Sequence, residues 1–236
     1  MTSIAVVTGG TRGIGLAVAR RLAVAGHAVT ALARSAPDAP EAAIGFRACD
    51  VTDEAQVMAA FAAIGEVDVL VNNAGVSSSA PLHRTTTHDW ARNLAVNATA
   101  PFLCTRAVLP GMTRRGSGRI ITVASTAALE GTPYTAAYSA SKHAVLGLMR
   151  VLAAEVEGSG VTASTVCPTF VDTDMTAGSI ATIAEATGLT EAQARQQLVA
   201  MTPHGRIISA EEVATAVVDL LANSDNGQEI LLDGRP

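Results

Sequence analysis

The chain has 236 residues, 49% hydrophobic, 16% charged and 3% aromatic, with a formal net charge of −5. That balance excludes a disordered chain, and with no basic run longer than Arg20-Arg21 or Arg114-Arg115 it offers no positive field for nucleic acid. Three widely spaced cysteines without a CxxC, five histidines without ligand spacing and no run near the ~18 apolar residues of a membrane span predict no metal, no membrane segment and a reduced, cytoplasmic setting.

Short apolar runs alternate along the chain with longer alanine-rich amphipathic stretches, the pattern of repeated βαβ units around a parallel sheet. In order, strands are predicted at Ile4–Thr8, Ala28–Ala33, Gly45–Cys49, Val67–Asn72, Arg119–Ala124, Val161–Cys167 and Glu229–Leu232. Helices are predicted between them at Ile14–Ala25, Glu54–Ile64, Asp89–Ala95, Pro101–Thr113, Ala136–Glu157 and Ala210–Ala222. The connection after Ala33 is too short and too broken by Pro37 and Pro40 for a crossover helix and is expected to be loop. The stretch from Val171 to Ile208 is neither a strand nor one clean helix; long connections of this kind are often lids, and 172–207 is read as a substrate lid, with a plain surface helix pair as the alternative. No repeat or linker divides the chain, so 1–236 is read as a single α/β domain: a doubly wound parallel sheet of about seven strands with helices on both faces.

The first strand runs into Thr8-Gly9-Gly10-Thr11-Arg12-Gly13-Ile14-Gly15, then a helical apolar face. Glycines here permit a tight turn and close backbone approach, so that a pyrophosphate can sit on exposed amides at the helix N-terminus. The spacing is TGxxxGxG rather than GxGxxG. Asp50-Val51 follows the third strand, Asn72-Asn73-Ala74-Gly75 the fourth, Asn97 lies in the next helical region, Ser125 ends the fifth strand, and Tyr138-Ser139-Ala140-Ser141-Lys142 opens the long helix.

In these motifs, their order and their spacing, essentially the whole chain resembles the short-chain dehydrogenase/reductase (SDR) family, and within it beta-ketoacyl reductases, polyketide ketoreductases and hydroxyacyl-CoA dehydrogenases. The resemblance implies a Rossmann-like fold and a nicotinamide dinucleotide. It implies cofactor contacts from the glycine loop (Gly9, Thr11, Arg12, Gly13, Ile14, Gly15), from Asp50 and Val51 at the adenine, and from Asn73, Ala74 and Gly75. The residues after Cys167 (Pro168, Thr169, Val171, Thr173) would hold the nicotinamide. Thr169 stands where the family has glycine, which puts the detail of that pocket in question. No carboxylate ends the second strand, where NAD-binding folds place one for the ribose; Arg34 and Arg12 instead offer guanidinium groups for the 2′-phosphate of NADP(H). NAD(H) is the second choice, with Asp38 as its possible ribose ligand.

Tyr138 and Lys142, the sole lysine beside 15 arginines, are four apart with helical periodicity, so both leave one helix face within about 6 Å of each other. A cation at that range is expected to lower a phenol by ~1–3 units from its ordinary ~10. Ser125 stands at a strand C-terminal end, where open parallel sheets bind ligands. By resemblance Ser125 holds the substrate carbonyl, Lys142 also binds the nicotinamide ribose, and Asn97 supports a water in a proton relay. Read without the family, Asn97 is a helix-distorting asparagine. The expectation is hydride transfer between nicotinamide and a ketone, secondary alcohol or acyl-thioester substrate, with catalytic residues Asn97, Ser125, Tyr138 and Lys142. The chain is expected to form a homotetramer or homodimer. The alternatives are an NAD-dependent hydroxyacyl-CoA or secondary-alcohol dehydrogenase and, in a different class, a non-catalytic NADP-binding regulator.

Overall fold

A computed structural model describes residues 2–37 and 39–235; Asp38 lies outside the described residues. Seven strands, β1 (Ile4–Thr8), β2 (Ala28–Ala33), β3 (Ile44–Ala48), β4 (Val69–Asn72), β5 (Gly118–Val123), β6 (Val161–Pro168) and β7 (Glu229–Leu232), form one parallel sheet in the order β3-β2-β1-β4-β5-β6-β7. The strand order reverses between β1 and β4, paired through Ala5–Val69, Val6–Leu70 and Val7–Val71, and the crevice beyond their carboxyl ends is where such sheets take ligands.

The central strands are apolar on both faces because both are covered. Alternate side chains supply two cores. Val6, Leu32, Leu70 and Ile120 point to the side of α2 (Glu54–Ile64), α4 (Ala100–Arg115) and α5 (Ala136–Glu155), where Phe61, Leu103 and Met149 meet them. Val7, Val71, Ile121 and Val166 point to the side of α1 (Gly13–Val24) and α8 (Ala210–Ala222), against Leu22 and Val217. Alanine at 17 and 19 of α1 and at 214 of α8 lets these two helices lie close together.

Two segments refine the expectation. Helix α3 (Thr87–Leu94) does not stop at Ala95 but passes through one π-helical turn, Ala95–Thr99, directly into α4. Asn97 sits in that turn, as a distorting residue should. Pro101 has no N–H and so removes the donor that would serve the Asn97 carbonyl in α-helical register. The 172–207 stretch holds a helix pair, α6 (Asp174–Thr187) and α7 (Glu191–Ala200), around a small core of Ile180, Ala194 and Leu198. Its two ends meet at one parallel bridge, Val171–Ile208, with Ile208 N–H donating to Phe170 (3.0 Å) and Asp172 N–H to Ile208 (2.8 Å). Among the described residues, no helix is long and apolar enough to cross a membrane, and no cluster of His, Cys, Asp and Glu suits a metal ion.

Candidate active site

The glycine loop leaves β1 at the switch point. Gly9 (φ 65°) and Gly13 (φ 52°) occupy the left-handed region that side chains avoid. A Cβ on Gly15 would stand 2.2 Å from the Gly9 carbonyl oxygen, so only glycine lets α1 begin this close to β1. Thr8, not among the residues foreseen for the site, ties the loop to β4: its buried hydroxyl accepts N–H bonds from Asn73 and Ala74, both 3.0 Å. The Asn73 carboxamide donates back to the carbonyls of Thr8 (3.0 Å) and Gly9 (3.3 Å). Asn73 therefore spends its side chain on shaping the loop, leaving Ala74 and Gly75 to face the crevice.

A dinucleotide fits this cradle. The N-cap of α1, Arg12, makes no side-chain cap bond and the first turn has no acidic residue, so the leading amides are left for an anion. Helix α6 likewise starts at Thr173 without a side-chain cap, and a Cβ on Gly13 would lie 3.5 Å from the Thr173 methyl, so the two helix starts share one place. Thr11 and Ile14 are half-buried, with Ile14 anchored in the α1–α8 core. Just past β2 Arg34 is exposed and has no ion pair among the described residues, while exposed Arg12 reaches Asp174 at 3.9 Å. Asp50 accepts from the Thr52 amide (3.0 Å) and hydroxyl (2.7 Å), which holds its carboxyl below the usual range. The Val51 side chain is turned into the core, so any adenine contact there falls to its backbone.

Past β6, Pro168 ends the strand and the Thr169 N–H donates to Leu232 at 2.9 Å. Thr169 does not adopt a positive φ, so threonine replaces glycine there without backbone strain. Val171 is buried, and Thr173 hydrogen-bonds its carbonyl at 3.3 Å.

The four residues expected to react come together between β4, β5 and α5. Ser125 caps a short turn, its hydroxyl accepting from Ala127 N–H at 3.1 Å. The Lys142 ammonium lies 5.7 Å from the Tyr138 ring centroid and donates to the Val123 carbonyl at 3.0 Å. Beside it, a Cβ on Gly75 would lie 3.8 Å from Lys142 Nζ and 3.4 Å from Asn97 Oδ1. Asn97 is clamped on three sides: Oδ1 accepts from Val76 N–H (2.9 Å), and Nδ2 donates to the Val76 carbonyl and to Ser141 Oγ (both 2.9 Å). The Ser141 hydroxyl continues to the Tyr138 carbonyl at 2.7 Å, so a residue with no assigned role fastens the π turn to α5.

One expectation is corrected. The phenol of Tyr138 is held above its ordinary value by burial, with the Ser125 hydroxyl pulling it down. Burial also pushes Lys142 down to about 8. Burial thus dominates at both groups, raising the phenol and bringing only the lysine toward neutral pH, while the ammonium donates to the Val123 carbonyl.

A glycine cradle at the switch point beside a Tyr-Lys-Ser-Asn cluster defines a nicotinamide-dependent oxidoreductase. Residues 3–184 match the short chain dehydrogenase family, and the chain belongs to it. The 2-(R)-hydroxypropyl-CoM dehydrogenase of Xanthobacter autotrophicus is 38% identical, covering 99% of this chain and 98% of that protein. A D-beta-hydroxybutyrate dehydrogenase of Rhizobium meliloti is 34% identical, covering 99% and 98%. A crystal structure of an actinorhodin polyketide ketoreductase variant with NADPH has a TM-score of 0.91 at 33% identity, covering 99% of this chain and 97% of that one.

Proposed function

We propose that the protein is an NADP(H)-dependent ketoreductase that interconverts a ketone, above all a beta-ketoacyl thioester or related ketone, and its secondary alcohol, with Tyr138 as general acid and base. The observation that carries this reading is the convergence of Ser125, Tyr138, Lys142 and Asn97 on one crevice beyond the switch point. When bound, the nicotinamide supplies or accepts the hydride. Gly9, Thr11, Gly13, Ile14, Gly15, Ala74, Gly75, Val171 and Thr173 shape its cradle, and Pro168 and Thr169 border it. Arg34 and Arg12 take the 2′-phosphate, since no carboxylate ends β2 to hold a free ribose hydroxyl.

Ser125 orients the carbonyl and polarises it by hydrogen bond, and Tyr138 delivers the proton to the carbonyl oxygen. Lys142 stabilises the phenolate left behind and bonds the nicotinamide ribose. The Asn97 carbonyl, whose α-helical donor Pro101 removes, would hold a water that returns the proton from solvent. The helix pair over residues 172–207 serves as the lid over the substrate. Buried, free cysteines suit a reducing cytoplasm. Exposed Phe102 on α4, Val151 on α5 and Leu231 on the edge strand suit a homotetramer.

The test compares NADPH with NADH over acyl-thioester ketones, aryl ketones and their alcohols, with Tyr138→Phe alongside the wild type. Tyr138→Phe should lose at least ~10²-fold in kcat while NADPH affinity, read by fluorescence, is retained. A variant keeping more than a few per cent of kcat refutes the acid role. A higher kcat/KM with NADH selects the NAD-dependent dehydrogenase reading, and NADPH binding without turnover of any substrate selects a regulator.

A further inference from the structure

Tyr134 carries a combination found at no other described residue. It is the one non-glycine residue with a positive φ, 69°, a conformation a side chain with a Cβ strongly disfavours. The residue is 64% exposed, so burial in the folded chain does little to offset that strain. The turn itself would be made at no steric penalty by glycine, and more readily by asparagine than by tyrosine. A ring that strains the backbone and is left in water has its use outside the folded chain.

Its surroundings indicate what covers it. Tyr134 stands four residues before Tyr138, at the entrance to α5, and its carbonyl accepts the Ala80 N–H at 2.8 Å. That bond joins the loop after β5 to the loop after β4, the two loops bordering the reacting cluster. Both expose further large apolar side chains, Leu129 (44%) on the first and Leu82 (75%) on the second, and Met175 (42%) stands in the first turn of α6. Single exposed apolar residues are ordinary. Here they gather on the segments around one crevice, in a chain with only two tyrosines and one tryptophan.

We propose that the Tyr134 ring is the apolar wall of the substrate site, and that the ketone whose carbonyl reaches Tyr138 bears a bulky apolar substituent, aryl or extended acyl, that packs on this ring. The assignment rests on the ketoreductase reading and makes Tyr134 a specificity-determining residue rather than a catalytic one. An aromatic face lends itself to this role because it offers a broad, rigid contact with few torsions to freeze.

The experiment measures kcat and KM for a small aliphatic ketone and for a bulky aryl ketone in the wild type and in Tyr134→Phe, Tyr134→Ala and Tyr134→Gly. Tyr134→Phe keeps the ring and should leave both ketones unchanged. Tyr134→Ala and Tyr134→Gly should raise KM for the bulky ketone ~10-fold or more, with kcat and the small ketone little affected. Tyr134→Gly accepts the backbone conformation without strain, so the same pattern in it, at an undiminished melting temperature, assigns the effect to the lost ring rather than a distorted loop. Equal changes for both ketones, or no change for either, overturn the proposal. So does a Tyr134→Ala protein whose oligomeric state changes while KM does not, which would mean that a second copy covers the ring. Wild type inactive on both ketones with both coenzymes defeats the ketoreductase reading itself, an outcome distinct from insensitivity to residue 134.

Discussion

Replacing Lys142 by methionine should make the protein more stable and nearly inactive. Lys142 is 5% exposed and its pKa falls from 10.5 to about 8, so holding the charge in the fold costs about 3 kcal/mol at neutral pH. Above pH 10.5 the amine is neutral in folded and unfolded chains and this cost vanishes. As pH falls from 10.5 to about 8 the unfolded chain takes up a proton that the folded chain refuses, and stability is lost; below about 8 the full cost applies. Methionine fills similar volume without charge, but leaves the Val123 carbonyl without its 3.0 Å donor, which returns about 1 kcal/mol. The net gain is about 2 kcal/mol at pH 7, or roughly 4–8 °C in Tm for a domain of this size. Urea unfolding of Lys142→Met and wild type, without coenzyme, at pH 7 and at pH 10 measures it. The advantage of the variant should shrink at the higher pH, with titrations of other groups cancelling in the difference. A variant no more stable than wild type at pH 7, or an advantage independent of pH, refutes the reasoning.

Thr8→Val keeps the shape and removes the acceptor of two amides, and should lower stability by about 2 kcal/mol in urea titrations while weakening coenzyme binding. Arg34→Ala should reduce kcat/KM for NADPH by ~10–100-fold, the worth of one charge-assisted bond to a phosphate, and leave NADH unchanged; an equal loss with both coenzymes would place Arg34 elsewhere than at the 2′-phosphate.

The strands were legible because period and composition agree in a buried parallel sheet: Ile4–Thr8, Ala28–Ala33 and Glu229–Leu232 fall where the apolar runs place them. The starts of α2 and α8 fall at Glu54 and Ala210 as expected, and the structure caps them with the side chains of Asp53 and Ser209. Reading α3 and α4 as separate helices missed a continuous path, because a π turn has no composition of its own; only Asn97 and Pro101 hinted at it. The pairing of Tyr138 with Lys142 followed from their spacing, but the direction of the phenol's shift did not, since spacing fixes distance and says nothing of burial. Thr8 and Ser141 were visible only as parts of motifs; their bonds join residues 65 and 44 positions away, to Asn73 and Asn97, and no local pattern records such partners. Tyr134 gave no signal, because a left-handed φ is usually announced by glycine or asparagine.

The bridge between Val171 and Ile208 makes the helix pair it closes a detachable module. A segment whose ends are already side by side can lengthen, shorten or be exchanged with little change in loop-closure entropy, and with its own small core it draws little on the packing of the sheet. On the proposed reading of this helix pair as a lid, exchanging residues 174–207 between members of the family is a route to new substrate range that leaves Thr173, the glycine loop and the reacting cluster as they are.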